Sequence, residues 1–447
     1  MPTAKPAKHS YLVDGILSGI LGNNGDEPSA SQVREWATTL GRDAAINKVR
    51  NFSNKQKPAA GPINVVDFFC GCGGLSLGFE IVGRMVPSYR LGYAIDIDAW
   101  ATETYAANLP LRPRIQDLTE LLTFGSSQTT LRQQLGVPTT EPLVLIGGPP
   151  CQGFSAHRKK HGRSKDHRNS LITTFARLAT MLSPDVVVME NVPELLARKH
   201  WALFQEFESI LAKAGYYVTA QIHNLAEFGV PQERFRVLIL AAKRPLSMPN
   251  GFLTPNRFKT VRDAIGSLDP VKPGKRDPKD PMHLCTNHRS STVNTIRRIP
   301  KDGGSRPLGI GPACLDRVDG FRDVYGRMYW DRPANTITAF SRNPASGRYV
   351  HPSQHRGLTI REAALLQAFP TTFQFAGPFD HKYLQIGNAV PPAFSAYLAA
   401  HILSELVIAT IFEQSISANE TIEPTSNSFS SGIAGRKKGN RRTVYVS

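Results

Sequence analysis

The chain has 447 residues, and its 53 Lys and Arg against 36 Asp and Glu give a formal net charge of +17. This length predicts two or three domains, and a hydrophobic content of 41% excludes a wholly disordered or fibrous chain. No run approaches the ~20 apolar residues of a membrane span, and the N-terminus lacks the apolar stretch of a secretory signal. We therefore expect a cytoplasmic protein without membrane contact, whose positive charge favours a polyanionic partner such as nucleic acid.

The five cysteines are too sparse, and odd in number, for a disulfide framework. Cys70 and Cys72 form a C-x-C, but the chain has no C-x-x-C pair, so the spacing predicts no metal site. At least one of the five is therefore a candidate for a reactive thiol.

The first 60 residues predict an N-terminal extension, with helical periodicity from Ala30 to Val49 and a polar linker after it. From Ile63 to Lys243, apolar runs alternate with helical patterns of about 10–15 residues. The predicted strands are INVVDFF, YRLGYAIDID, PLVLIGGPP, PDVVVMENV, YYVTAQIHN and RFRVLILAAK. Because these runs lack period-2 alternation, they indicate an α/β fold whose doubly wound, mostly parallel sheet is covered on both faces.

Residues 244–325 differ in composition, being rich in Pro, Gly, Asn and Arg, and they predict a second, smaller and basic domain. Helical periodicity returns in LTIREAALLQAF and PPAFSAYLAAHILSELVIATIF. The tail from about Ser415 is rich in Ser, Thr and Asn, with five basic and no acidic residues from Gly435 onward. This composition predicts a disordered tail whose charge adds non-specific affinity for nucleic acid.

A glycine-rich turn, Asp67 to Gly74, follows the first predicted strand and opens a helix. Glycines there let backbone N–H groups approach a ligand, as in dinucleotide, nucleotide and adenosylmethionine sites alike. The segment has neither G-x-G-x-x-G spacing nor the Lys-Ser/Thr of a P-loop. Asp96, about 22 residues further on, either caps a helix or accepts bonds from ribose hydroxyls, and its place at a strand end favours the ribose.

A second motif, GGPPCQGFS, places Cys151 at the carboxyl end of a strand, where open α/β sheets bind their ligands. The flanking Pro and Gly residues favour a rigid, exposed turn with a nucleophile over a buried, inert thiol. Between Ala156 and Arg168 there are six Lys and Arg and three His against one Asp. This stretch is either a solvated loop or a mobile basic flap that closes on phosphates.

Two further motifs carry charged groups at strand ends. Glu190, in the E-N-V segment, is a candidate acid beside the same cleft, although such a Glu is more often a cap or an ion-pair partner. Arg234 and Arg236 lie two residues apart in Q-E-R-F-R, so alternation places them on one face. There they are either surface charges or bidentate donors to a nucleotide.

The order of these segments is more specific than any one of them. The glycine turn, P-C-Q, E-N-V, Q-x-R-x-R, GRMYWDRPANTIT and QIGNAVPP follow one another over about residues 63–405. This series resembles the DNA (cytosine-5) methyltransferase family of the bacterial restriction–modification type.

The resemblance implies a Rossmann-like fold of S-adenosylmethionine-dependent methyltransferases, with a smaller basic target-recognition domain. It divides the chain into an extension at 1–60, a catalytic and cofactor-binding domain at 61–243 plus 381–412, a target-recognition domain at 244–380 and a tail at 413–447.

The resemblance also implies methyl transfer to carbon 5 of a cytosine that is flipped out of the duplex. Cys151 would be the nucleophile that adds to carbon 6 of the base. Glu190 would hold the N3 edge, while Arg236, supported by Arg234, would bind the base at O2 and neighbouring groups.

S-adenosyl-L-methionine is the cofactor that the resemblance implies. The glycine turn would surround its methionine end, Asp96 its ribose, Ile97 and Asp117 its adenine, and IGNAVPP would return the C-terminal helix beside the turn. The residues assigned to this site are Phe68, Gly71, Gly73, Gly74, Asp96, Ile97, Asp117, Pro149, Asn388 and Val390.

The partners implied are double-stranded DNA and a cognate restriction endonuclease acting on the same site, with the protein at the nucleoid of a bacterial cell. A tRNA cytosine-5 methyltransferase is one alternative, but that branch carries Cys-Phe-Thr where this chain has only Cys285-Thr286. A catalytically silent DNA-binding regulator predicts loss of the Cys or the Glu, and a nicotinamide dehydrogenase does not explain P-C-Q.

Overall fold

The computed structural model describes residues 62–85, 88–123, 128–150, 170–317, 323–411 and 422–425. The predicted N-terminal extension, Cys151, the basic stretch after it and most of the tail lie outside the described residues. The strands are β1 (Ile63–Phe68), β2 (Tyr89–Asp96), β3 (Arg114–Ile115), β4 (Leu143–Gly147), β5 (Val186–Asn191), β6 (Tyr217–Asn224), β7 (Gln232–Glu233), β8 (Phe235–Ala242) and β9 (Ala334–Asn335).

The helices are α1 (Gly74–Met85), α2 (Ala99–Asn108), α3 (Gln128–Gln134), α4 (Ser170–Leu182), α5 (Trp201–Lys213), α6 (Val261–Ile265), α7 (Ser290–Arg297), α8 (Ile360–Leu366), α9 (Phe379–Asn388) and α10 (Pro392–Ile411). Within the described ranges, no helix combines the length and the apolar character needed to cross a lipid bilayer.

The predicted doubly wound sheet is confirmed. Seven strands form one sheet in the order β3-β2-β1-β4-β5-β8-β6. β3, β2, β1, β4 and β5 are parallel, whereas β8 runs antiparallel to both of its neighbours. The carboxyl ends of the parallel strands and the first residues of β8 therefore meet at one edge of the sheet, which we call the site edge.

The central strands are buried on both faces, as their continuous apolar sequences predicted. Alternate residues of β4 divide between two cores: Leu143 and Leu145 pack with α4 and α5, while Val144 and Ile146 pack with α1 and α10. Helices thus cover both faces of the sheet, and their packing fixes the positions of the strand ends at the site edge.

Helices α1 and α10 lie in unusually close contact because of glycine. A Cβ atom on Gly78 would lie 2.2 Å from the backbone carbon of Ser395, and one on Gly74 would lie 2.3 Å from the carbonyl oxygen of Val390. Such distances leave no room for a side chain. The helix after the glycine turn is therefore held directly against the C-terminal helix.

The region between β8 and α9 contains few regular elements, and buried arginines hold it together. Arg327 donates hydrogen bonds to the carbonyl oxygens of Ile296, Ile299, His351 and Gln354 at 2.5–3.1 Å. These bonds join the end of α7 to loop carbonyl groups that lie far along the chain. The predicted division of the chain into domains stays a prediction.

Replacing Gly78 with Ala should lower the free energy of unfolding by about 1–3 kcal/mol, because the new methyl group collides with the backbone of α10. Alanine is the better helix former by about 1 kcal/mol, so any net loss measures the collision. Gly92→Ala is the matched control, since its Cβ would meet nothing closer than 3.5 Å. Urea denaturation of both variants measures the effect, and equal stabilities would contradict the packing argument.

Candidate active site

The glycine turn is held by the acid that the sequence singled out. The backbone N–H of Gly71 donates to Asp96 Oδ2 at 2.8 Å, and the N–H of Asp98 donates to Asp96 Oδ1 at 2.9 Å. Gly71 and Gly73 have φ of +52° and +89°, a region that glycine adopts without strain. The helix cap belongs to Asp98, whose side chain accepts from the N–H groups of Trp100 and Ala101.

The two phenylalanines before the turn have different surroundings. Phe68 is fully buried, with its ring 6.2 Å from that of Phe175 in an edge-to-face contact, so its side chain faces the core. Only its backbone lies at the turn. Phe69 is partly exposed and has φ of +62°, a conformation that sequence patterns do not reveal. It is an aromatic group at the site edge that the sequence analysis missed.

Apolar side chains and a capping acid follow β2 and β3 at the same edge. Ile97 is 71% exposed and Ile115 is 55% exposed. Ile115 is the residue of β3 that pairs with Asp96, so both isoleucines stand beside the Asp96 carboxylate. Asp117 accepts from the N–H and the hydroxyl of Thr119 at 2.8 and 2.7 Å, which caps the short helix after β3.

The segment after α9 reaches the glycine turn as predicted from IGNAVPP. Val390 is buried, and its carbonyl oxygen lies against Gly74. Asn388, the last residue of α9, is exposed. Gly387 makes a second close approach, because a Cβ there would lie 2.1 Å from the backbone nitrogen of Ala339.

The end of β4 is tied to the end of β5. The side-chain amide of Asn191 donates to the carbonyl oxygen of Pro149 at 3.2 Å. A Cβ on Gly148 would lie 3.8 Å from Glu190 Oε2. The Glu190 carboxylate therefore stands beside the segment that leads into Cys151, although Cys151 itself lies outside the described residues.

Glu190 and Arg236 form an ion pair at the centre of the site edge. Arg236 Nε lies 2.8 Å from Glu190 Oε1, and the two side chains are 15% and 10% exposed. Oε1 accepts no aligned hydrogen bond within the described part of the chain, so its hydrogen-bonding capacity is not used up. A largely buried carboxylate beside a guanidinium can bind a polar ring edge through both charged groups.

Arg234 lies deeper in the protein than this ion pair. It is 1% exposed and donates to the carbonyl oxygens of Ile337, Gly387 and Ala389 at 3.0, 3.1 and 3.2 Å. Strand alternation predicted one face for Arg234 and Arg236, but only Arg236 pairs with Glu190. Arg234 precedes β8 and instead joins that strand to two distant segments.

Gln232 extends the same connection, and the sequence analysis gave it no role. Its amide donates to the carbonyl oxygen of Leu366 at 2.7 Å and to Gln367 Oε1 at 2.6 Å. Its own Oε1 accepts from the N–H of Ile337 at 3.0 Å. The glutamine and first arginine of Q-x-R-x-R therefore build the scaffold, and the second arginine faces the site.

Asp67, in β1 before the glycine turn, is a second residue to which the sequence alone assigned no role. It is 1% exposed, its Oδ2 accepts from the Ser76 hydroxyl at 2.6 Å, and Ser76 accepts from the Tyr105 hydroxyl at 2.9 Å. Oδ1 has no partner within the described ranges. Burial raises the pKa of Asp67 to about 8, so the carboxyl group below the glycine turn is protonated at neutral pH.

Comparison with known proteins gives one consistent result. A family model described as C-5 cytosine-specific DNA methylase matches residues 63–404. Type II methylase M.HgiDII of Herpetosiphon aurantiacus is 33% identical over 347 residues, which cover 76% of this chain and 94% of the relative. Type II methyltransferase M1.BsuMI of Bacillus subtilis is 33% identical over 350 residues, covering 76% of this chain and 80% of the relative.

Solved structures share the fold. A DNA modification methyltransferase encoded within an E. coli prophage superposes with a TM-score of 0.58 at 24% identity, covering 77% of this chain and 99% of that one. The Dnmt2 methyltransferase of S. pombe superposes with a TM-score of 0.52 at 17% identity, covering 78% of this chain and 99% of that one.

Arg234→Lys should lower the free energy of unfolding by about 2–4 kcal/mol, because an ammonium cannot reach three divergent carbonyls and leaves buried acceptors unpaired. Arg236→Lys is the matched control, and we expect a smaller loss because the Arg236 side chain is 15% exposed and a lysine ammonium can still pair with Glu190. Urea denaturation of both variants measures the two losses. Equal losses would contradict the conclusion that Arg234 supports the fold whereas Arg236 faces the site.

Asp67→Asn should change how stability depends on pH. The folded pKa of about 8 lies above the unfolded value near 4, so the native state binds the extra proton between these values. Wild-type stability should therefore fall relative to the Asn variant as pH rises from about 4 to 8, by at most about 1.4 kcal/mol per pH unit. Denaturation at pH 5, 6, 7 and 8 measures this, and parallel curves would exclude a protonated Asp67.

Proposed function

Because this chain belongs to the C-5 cytosine-specific DNA methylase family and is a DNA (cytosine-5) methyltransferase, we propose that it methylates a defined duplex sequence through a covalent Cys151 adduct. The observation that carries this proposal is the Glu190–Arg236 pair at the site edge, beside the Gly148–Pro149 segment that leads into Cys151. The pair offers a carboxyl group and a guanidinium to one ring edge of a cytosine.

The proposed chemistry follows from the weak nucleophilicity of cytosine carbon 5. The Cys151 thiolate adds to carbon 6, the displaced electron pair moves through the ring to N3, and N3 takes a proton from the Glu190 carboxyl. Arg236 binds O2 and holds the base in place. Carbon 5, now enamine-like, would take the methyl group from its donor, which the donor would give up as an electrophile. Transfer of the carbon-5 proton to a base, return of the N3 proton to Glu190 and cleavage of the bond between Cys151 sulfur and carbon 6 then release the Cys151 thiolate.

We propose S-adenosyl-L-methionine as the cofactor, which supplies an electrophilic methyl group when bound. The described residues fit it. A Cβ on Gly71 would meet no described atom within 4 Å, so the turn leaves open space for the amino-acid end. Asp96 keeps a carboxylate at the strand end for ribose hydroxyls, and exposed Ile97 offers an apolar surface for adenine. Asp67, before the turn, accepts from Ser76 in α1 and so links β1 to the helix that the turn opens.

Duplex DNA is the proposed substrate, with residues 244–380 as the target-recognition region. Phe340 supports this assignment, because it is 68% exposed on a loop held close to the site. Arg234 binds the carbonyl oxygen of Ile337 in that loop, and Ala339 packs against Gly387. A rigid, exposed aromatic ring beside a base-binding site suits contact with stacked bases.

The type II names of the relatives support a role as the modification enzyme of a restriction–modification pair, with a cognate endonuclease as partner. Modification by such an enzyme would protect host DNA at the sequence that the endonuclease cleaves.

Cys151→Ala should abolish methyl transfer, and Glu190→Gln should slow it by about 10²–10⁴-fold because the general acid is lost. Cys314→Ala is the matched control, since that thiol is exposed and far along the chain, and it should keep wild-type activity. Transfer of label from S-adenosylmethionine into duplex DNA, mapped by bisulfite sequencing, measures all four proteins.

Cofactor binding by the Cys151 variant should remain close to wild type, which separates lost chemistry from lost folding. Normal turnover by that variant would overturn the covalent mechanism. Label in tRNA but not in DNA would overturn the duplex substrate and favour the tRNA alternative.

A further inference from the structure

The predicted recognition region carries an exposed aromatic ring on a fixed main chain. Phe340 is 68% exposed. Its carbonyl oxygen accepts from the N–H of Asn343 at 3.0 Å and from the hydroxyl of Ser346 at 2.6 Å. Its own N–H donates to Thr338 Oγ1 at 3.3 Å. We call residues 338–346 the aromatic loop, and these hydrogen bonds hold its main chain on both sides of the ring.

The aromatic loop is anchored beside the base-binding pair. Arg234 donates to the carbonyl oxygen of Ile337, which lies three residues before Phe340, at 3.0 Å. Three residues span at most about 11 Å of main chain. Arg234 itself stands two residues before Arg236, whose guanidinium pairs with Glu190. Phe340 is therefore held a short distance from the groups proposed to bind the flipped cytosine.

Polar side chains of the aromatic loop are engaged within the protein. Asn343 Oδ1 accepts from a main-chain N–H two residues later at 3.0 Å, and Ser341 is fully buried. Arg342 Nε lies 3.2 Å from Asp380 Oδ1 in α9. The ring of Phe340 is therefore the largest apolar surface that the loop offers to a partner.

Few apolar surfaces are accessible on a duplex, and two of them suit an aromatic ring. The methyl group of thymine lies in the major groove. A base that leaves the stack opens a gap between the flat faces of its neighbours. Such a gap lies beside any cytosine that Glu190 and Arg236 hold outside the duplex, whereas no thymine need stand there. Apolar side chains enter base stacks in other DNA-binding proteins, and a planar ring matches a gap between planar bases.

We propose that Phe340 inserts into the stack at the place that the target cytosine leaves, and so stabilises the flipped state. This inference rests on the proposed function, which supplies the flipped cytosine. Phe340 acts on the flipping equilibrium and not on the reacting atoms. Because its main chain is already fixed, the ring loses little conformational freedom when it inserts.

Fluorescence of 2-aminopurine tests the proposal, because this base becomes brighter when it leaves the stack. It replaces the target cytosine in a duplex whose site is first mapped by bisulfite sequencing, at saturating protein. Phe340→Ala should lower the equilibrium constant for flipping about 5- to 100-fold, since stacking on an aromatic ring is lost. Phe340→Tyr keeps the ring and should retain the wild-type fluorescence.

Tyr217→Ala is the matched control. Tyr217 is an aromatic residue that is 50% exposed, and it pairs with Ala242 at the end of β8 opposite to Arg236. The length of the strand places it about 20 Å from the site edge. Its variant should therefore keep both the flipping signal and the duplex affinity of the wild type.

Wild-type flipping by the Phe340→Ala variant would overturn the proposal, whether or not duplex affinity falls. A loss of affinity that uracil in place of thymine reproduces, with flipping intact, would overturn it in favour of a contact with a thymine methyl group.

The outcome is separable from that of the proposed function. Transfer of label into DNA by the wild-type protein tests the function without any change at Phe340. If DNA takes the label and the Ala variant flips the base as well as the wild type does, the Phe340 proposal alone is wrong. If the wild type leaves DNA unlabelled, both proposals are wrong.

Discussion

The buried guanidinium of Arg234 is the constraint on which the rest of the site depends. It stands at the start of β8 and binds carbonyl oxygens of the loop before Phe340 and of the segment that follows α9. A single planar group with five donors thereby joins the sheet, the predicted recognition region and the return to the glycine turn. Two residues later, Arg236 reaches Glu190 from a strand whose position is already fixed.

Buried arginines also hold together the region between β8 and α9. Arg356 forms a bidentate pair with Glu362 at 2.7 Å on both oxygens, and Arg361 pairs with Asp280 while binding two further carbonyls. Burial opposes ionisation of Glu362, but attraction to Arg356 holds its pKa at about 2. Buried loop carbonyl groups that no strand or helix pairs need hydrogen-bond donors from side chains. One arginine side chain supplies several such donors.

Four of the chain's arginines are fully buried and cannot contribute to a basic surface. Arg234, Arg327, Arg356 and Arg361 are among the largest fully buried side chains, so their charges cannot meet phosphates. All four lie outside residues 244–325, so their burial leaves the prediction of a basic second domain in that segment unchanged. Exposed basic residues remain available to a polyanion both after β5, at Arg198 and Lys199, and within residues 244–380, where Lys275 and Arg298 are examples.

The strands could be predicted because continuous apolar runs and strand-end glycines follow from burial on two faces. Asp96 could be found from its strand end, and Glu190 could be placed at the same end of the sheet. The ion pair between Glu190 and Arg236 was not predicted. The positive φ of Phe69, the protonation of Asp67 and the docking of Thr425 on Leu196 could not be predicted. Each depends on contacts between segments far apart in the chain, which local pattern does not contain.

The central claim is that Cys151 bonds to cytosine carbon 6 and is released only when carbon 5 loses its proton. Duplex DNA in which 5-fluorocytosine replaces cytosine tests this most directly. The hydrogen on carbon 5 leaves as a proton, whereas a fluorine there cannot leave as a cation. With S-adenosylmethionine present, the wild-type protein should form a covalent DNA complex that survives denaturing electrophoresis, and Cys151→Ala should form none. Turnover on this DNA without a trapped complex, or trapping by the Ala variant, would contradict the account.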